Sequence, residues 1–290
     1  MACLEAAQLK SSNSRLQRAG AVELATSHWP GGRRGVVFAH GFGQTRQAWA
    51  TSASKLADAG FACTTFDARG HGDSSWRGDE PYRFETMADD LSAVAATVGL
   101  SPVLVGASMG GLLGLALQGQ PQPPFAALIL VDVTPRWETR GVERILGFMA
   151  AHPDGFASLQ QASDTIAAYL PHRREPKSPG RLRTLLIDHG DGRLRWHWDP
   201  RLLVDLRPDI ERQQPQLIEA VARIRTPMLL VSGADSDIVS RETIDEFLSL
   251  APQARHVVVP KATHMVVGDD NAAFTQHVLE FLESLEGEES

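Results

Sequence analysis

Eight consecutive residues, Leu104-Val105-Gly106-Ala107-Ser108-Met109-Gly110-Gly111, constrain this chain more than any other stretch. The apolar run at 103–105 enters a Gly-x-Ser-x-Gly sequence and leaves it through Leu112, Leu113, Leu115, Ala116 and Leu117, residues that favour helix. The pattern reads as strand, sharp turn, helix. A serine on so sharp a turn is forced toward a strained backbone, and only very small residues two positions to either side let strand and helix pass closely. Gly106 and Gly110 are those residues. The strain lifts the Ser108 hydroxyl clear of the sheet and leaves the Met109 N–H at a helix N-terminus, where it can face a developing negative charge. The pentapeptide alone also fits an idle serine in an ordinary turn, so the rest of the chain has to decide.

The surroundings alternate between short apolar runs and amphipathic segments. Residues 36–39, 61–66, 103–105, 127–131, 228–231 and 256–259 read as buried strands. Between them, Trp49, Ala53 and Leu56 recur at helical spacing behind a candidate cap at Thr45, and Phe84, Met87, Leu91, Val94 and Val98 step three and four apart. Residues 22–25 read as an early edge strand, and helices are expected near 215–223, at 240–250 and over a last segment carrying Phe274, Val278, Phe281, Leu282 and Leu285. This alternation predicts an α/β fold with a mainly parallel central sheet and helices on both faces. The rhythm breaks between residues 135 and 200, which hold helix-like pieces at 142–151 and 156–170, a proline-rich basic loop and no clear buried strand. The expected organisation is a loose tail at 1–14, a core made of 15–134 and 201–290, and a lid insertion at 135–200.

Charge and cysteine content exclude several classes. The 290 residues carry 28 Lys and Arg against 35 Asp and Glu, a formal net charge of −7, so no global basic field draws the chain to nucleic acid. Two cysteines, Cys3 and Cys63, are too few for a disulfide framework, and Cys63 lies in an apolar run where a small buried thiol fits. The first twenty residues lack a secretory apolar segment, and no run of about 18 apolar residues occurs. A cytoplasmic protein without a membrane span is expected. Ten histidines without a closely spaced ligand set give no reason to invoke a metal, and the glycines near Gly41 lack the pattern of a nucleotide-phosphate loop, so no cofactor is expected.

In open sheets of this kind ligands gather at the carboxyl ends of the strands. Standing there are residues 40–43, residues 67–74, Ser108, Asp132, Asp235, Asp237 and His264. A serine hydroxyl needs a base, and a histidine base works best with a carboxylate fixing its tautomer. Chain order Ser108, Asp237, His264 is the order of a nucleophile-elbow site. Asp235, two residues away, and Asp132, at the end of the 127–131 strand, compete with Asp237 for the acid role. His40 and His71 each belong to a motif that turns the chain and are read as loop-shaping residues bonded to backbone.

With His-Gly-Phe-Gly at 40–43, Asp-Ala-Arg-Gly-His-Gly-Asp-Ser at 67–74, the glycine-flanked Ser108, residues 233–239 and His264 in this order, the chain resembles the α/β-hydrolase superfamily, in its lid-bearing small esterase, lactonase and haloperoxidase-like branch. The likeness spans about residues 36 to 285. It implies Ser108 as nucleophile, His264 as base and Asp237 as the acid that orients it, with the N–H groups of Phe42 and Met109 forming the oxyanion hole. It further implies a serine hydrolase of small-molecule carboxylic esters working through an acyl-enzyme. Thioesters, lactones, diketone-like carbon–carbon bonds and perhydrolysis suit the same residues, and a ligand-binding receptor built on the fold is the competitor of another class. The lid's Trp137, Phe148, Trp196 and Trp198 are candidate substrate contacts, although such residues also simply seat a lid. Residues 172–195 hold seven Lys and Arg against three Asp and Glu, a local excess that suits either a solvated loop or an acidic ligand.

Overall fold

The apolar runs become strands because both of their faces are covered. The computed structural model describes residues 11–76, 80–169, 182, 185–188, 190–269 and 271–288. Its main sheet has eight strands: β1 (Ser12–Gln17), β2 (Glu23–Trp29), β3 (Arg33–Ala39), β4 (Phe61–Phe66), β5 (Val103–Ala107), β6 (Ala127–Val131), β9 (Met228–Gly233) and β10 (Ala254–Val259). They lie in the order β1-β2-β4-β3-β5-β6-β9-β10. The pairs β1/β2 and β2/β4 are antiparallel, and the rest of the sheet is parallel.

Side chains alternate across each strand, so one continuous apolar run feeds two cores. Val37, Leu104, Leu128, Leu130 and Leu230 pack on one side with α2 (Phe84–Ala96), α3 (Met109–Gln118) and Phe247. Val36, Phe38, Val105, Ile129 and Val231 pack on the other with Trp49, α1 (Ala50–Asp58) and the C-terminal helix Asn271–Glu288. The Cys63 thiol is in this second core, where burial pushes its pKa up, so it behaves as a small apolar group.

Ser12, Asn13 and Ser14, expected in a loose tail, begin β1, which lies outside β2 and is the true edge. β1 shows no buried alternation because it is held by its register and by polar links such as Ser14 Oγ to Thr26 Oγ1 at 2.7 Å. Thr45 precedes a short 3-10 turn, Arg46–Trp49, but its side chain makes no cap bond. The long helix after the insertion starts at Arg201 and runs to Arg223 through Pro208 and Pro215. Each proline removes a helical hydrogen bond, and the buried row Leu202, Leu206, Leu217 and Val221 outweighs that loss.

The insertion contains α4 (Thr139–Ala150), α5 (Leu159–Tyr169) and a small antiparallel hairpin of β7 (Leu186–Asp188) and β8 (Leu194–Trp196). Phe156, Ala162 and Leu186 form its own small core. It is tied to the sheet's carboxyl edge at two loops. Glu138 N–H donates to Ile238 O at 2.9 Å; Gly72 N–H donates to His197 O at 2.9 Å and Asp199 N–H to Gly70 O at 2.8 Å. Most of the basic run expected at 172–195, and residue 170 of the expected second helix, lie outside the described residues. No described helix is long and apolar enough to cross a membrane.

Candidate active site

Ser108 has φ +46° and ψ −118°, a backbone conformation that side chains disfavour. It occupies the single residue between β5 and α3. The glycines around it are needed for contact. A Cβ on Gly106 would lie 2.8 Å from the Gly110 carbonyl group, and one on Gly110 would lie 2.4 Å from Ala39 O. A Cβ on Gly41 would come within 3.2 Å of the Ser108 Cβ, so the 40–43 loop runs directly against the turn. Met109 opens α3, whose first N–H groups have no intrahelical acceptor.

Asp132 stands one residue beyond β6 with φ +48° and is fully buried. Its Oδ1 accepts the Gly233 N–H at 2.9 Å. Its Oδ2 accepts the Ser236 hydroxyl at 2.6 Å and faces His264 Nδ1 at 2.8 Å. A carboxylate with these partners can only accept from the ring, so the proton sits on Nδ1 and Nε2 keeps its lone pair. The His264 side chain is 15% exposed, which leaves it a reachable face.

Asp237, expected to orient His264, does not meet it. Its Oδ2 takes the Arg144 Nη1 of α4 at 2.9 Å, and its side chain is 35% exposed. Among the described residues no hydrogen bond joins the two. The cause is the path of the 235–239 loop, in which Ser236 is the side chain turned inward. Its Oγ donates to Asp132 and accepts the N–H groups of Ile238 at 3.2 Å and Val239 at 3.1 Å. Asp235 is exposed and contributes its backbone N–H to Ala262 O at 2.9 Å. The residue facing His264 is therefore Asp132, the alternative at the end of the preceding strand. Ser236 went unnoticed in the sequence because two acids flank it.

The four lid aromatics divide by environment. Trp198 is buried with its ring centroid 5.4 Å from that of Phe42, and with Met149 it lies over Gly43. Phe148 stacks on Tyr169 at 4.1 Å and tilts against Trp196 at 5.9 Å, while Trp196 meets Phe156 edge-on at 5.1 Å. Trp137 packs at the margin of the first core. Trp198 therefore neighbours the 40–43 loop, whereas Phe148 and Trp196 chiefly seat the insertion. No group of three or more His, Cys, Asp or Glu among the described residues is arranged to hold a metal ion.

Comparison with known proteins bears on the family and the fold. A family model described as the alpha/beta hydrolase fold matches residues 35–270. A 3-hydroxybutyrate-oligomer hydrolase of Cupriavidus necator is 31% identical over 263 residues, covering 85% of this chain and 88% of that protein. An esterase of Mycobacterium tuberculosis is 29% identical over 279 residues, covering 91% and 87%. Among solved structures, E-2-(acetamidomethylene)succinate hydrolase superposes with a TM-score of 0.81 over 94% of this chain and all of that one, at 21% identity, a likeness of fold.

Proposed function

Because the chain belongs to the alpha/beta hydrolase family, we propose that it is a serine hydrolase of carboxylic esters that works through an acyl-enzyme. The observation that carries this reading is the 2.8 Å contact of His264 Nδ1 with buried Asp132, one strand away from the strained Ser108. With Nδ1 committed to Asp132, Nε2 is the free base. It takes the Ser108 proton as Oγ attacks the ester carbonyl, and Asp132 steadies the imidazolium that results. The N–H groups of Phe42 and Met109 receive the oxyanion. His264 then gives the proton to the departing alcohol and takes one from water; the hydroxide so formed attacks the acyl carbonyl, and as the acid leaves His264 returns its proton to Ser108 Oγ.

The Cupriavidus relative, by its name, hydrolyses oligomers of a hydroxy acid, and the paired rings of Phe42 and Trp198 beside the 40–43 loop suit an apolar acyl group. Thioesters and lactones ask the same steps of the same residues. The test is hydrolysis of p-nitrophenyl esters of rising acyl length by the parent, Ser108→Ala and His264→Ala. Turnover by the parent, with a loss of about a thousandfold or more in both folded variants, is the supporting result. A parent inert to the whole series, or Ser108→Ala as fast as the parent, overturns the reading.

A further inference from the structure

Three buried histidines, His40, His71 and His197, surround the loop that carries Phe42, and none takes part in the reaction just described. Two of them bond directly to that loop. His40 Nε2 accepts the Ala68 N–H at 2.9 Å, and its Nδ1 lies 2.8 Å from Gly41 O. An amide N–H can only donate and a carbonyl only accept, so the His40 proton is on Nδ1. His71 Nδ1 lies 3.2 Å from Arg69 O, and its Nε2 accepts the Gly43 N–H at 3.2 Å. Its proton is on Nδ1 as well. One ring holds the loop with its N–H, the other with its lone pair.

These contacts fall on the two peptide units either side of Phe42. The first unit contains Gly41 C=O and Phe42 N–H, which point in opposite directions in a trans peptide. Among the described residues no peptide bond is cis. Gly41 O accepts from His40 Nδ1 and also from the Gln44 N–H at 3.1 Å, so the direction of the Phe42 N–H is set from the opposite side of its own peptide. The second unit contains Phe42 C=O and Gly43 N–H, and His71 takes that N–H. The Phe42 side chain is held too, its ring perpendicular to that of His71 at 5.6 Å. From this we infer that His40 and His71 are paired positioning residues that aim the Phe42 N–H into the oxyanion hole. The inference rests on the serine-hydrolase reading.

The decisive comparison is His71→Leu, which removes the acceptor, with His71→Gln, which can return an acceptor oxygen to the place of Nε2. On a p-nitrophenyl ester, His71→Leu is expected to lower kcat by about 10- to 100-fold, below the loss of a whole oxyanion donor, with KM changed by no more than about threefold. His71→Gln is expected to recover most of that loss. Inhibition by an arylboronic acid, whose tetrahedral adduct with Ser108 puts an oxygen in the hole, is expected to weaken in parallel. A folded His71→Leu with parental kcat, a change confined to KM, or no recovery in His71→Gln overturns the inference.

A measurement on the parent does not depend on any variant folding. Two-bond ¹H–¹⁵N correlation is expected to show Nε2 unprotonated in both His40 and His71, and a proton on either Nε2 overturns the inference. A parent inert to esters and to a fluorophosphonate removes the serine-hydrolase reading and this inference with it. An active parent with an unimpaired His71→Leu removes this inference alone.

Discussion

His264 Nδ1 lies 2.8 Å from Asp132 Oδ2, and Asp132 comes from the end of β6 rather than from the loop after β9. Replacing Asp132 by Asn keeps the shape and supplies the wrong partner for the imidazole N–H. Asp132→Asn is therefore expected to lower kcat by roughly 1,000- to 10,000-fold. Asp237→Asn, which touches only the Arg144 pair, is expected to stay within about fivefold of the parent, as a half-exposed ion pair contributes little. Steady-state kinetics of the two variants side by side decide which carboxylate serves His264.

Ser236 shares Asp132 Oδ2 with His264 and ties the carboxylate to the 235–239 loop. Ser236→Ala removes one donor to the buried oxygen and leaves the Ile238 and Val239 N–H groups without that acceptor. A fall of about tenfold in kcat, with KM nearly unchanged, is expected, together with about 1–2 kcal/mol of lost stability. Parental kcat in Ser236→Ala would mean that the carboxylate holds its place unaided.

Backbone strain at Ser108 predicts a separation of stability from activity. At φ +46° and ψ −118° a glycine relieves the contacts of Cβ, whereas alanine keeps them. Ser108→Gly and Ser108→Ala are both expected to be inert, with Ser108→Gly more stable by about 1–3 kcal/mol in urea denaturation. Equal stabilities would show that the turn is relaxed in solution.

The remaining buried histidine predicts a response to acid. Neither ring nitrogen of His197 has a hydrogen-bond partner among the described residues, and burial, with His40 nearby, pushes its pKa down to about 4. An unfolded imidazole titrates near 6.5. Between those values the unfolded chain binds a proton that the native chain does not, so stability is full above about 6.5 and falls as the pH drops toward about 4. His197 alone contributes roughly 3 kcal/mol to that fall. His197→Leu is expected to match the parent near pH 7 and to exceed its stability by about 2–3 kcal/mol near pH 4.5, read by chemical denaturation at the two pH values. Parallel acid losses in parent and variant would place the sensitivity elsewhere.

The parallel strands were legible in the sequence because burial on both faces writes them as unbroken apolar runs, and the turn at Ser108 because only glycines fit at 106 and 110. β1 was not legible, since its exposed face carries no hydrophobic period. The helix expected near 215–223 starts fourteen residues earlier, at Arg201, because its buried face holds Pro208 and Pro215 within one helix. The carboxylate that faces His264 was not legible for a related reason. Which of Asp132, Asp235 and Asp237 faces His264 depends on the left-handed φ of Asp132 and on Arg144, far away in the chain, and neither is written in the local pattern.

Ala107 of β5 is paired in register with Val131 of β6, so Ser108 and Asp132 stand at the first step beyond the same rung. The spacing between their backbones is the pitch of the sheet, about 4.8 Å. The sheet thus serves as a ruler for these two residues. The surface connection between α3 and β6 can lengthen or shorten without altering the interval, whereas a one-residue slip of β6 against β5 would turn Asp132 to the wrong side of the sheet.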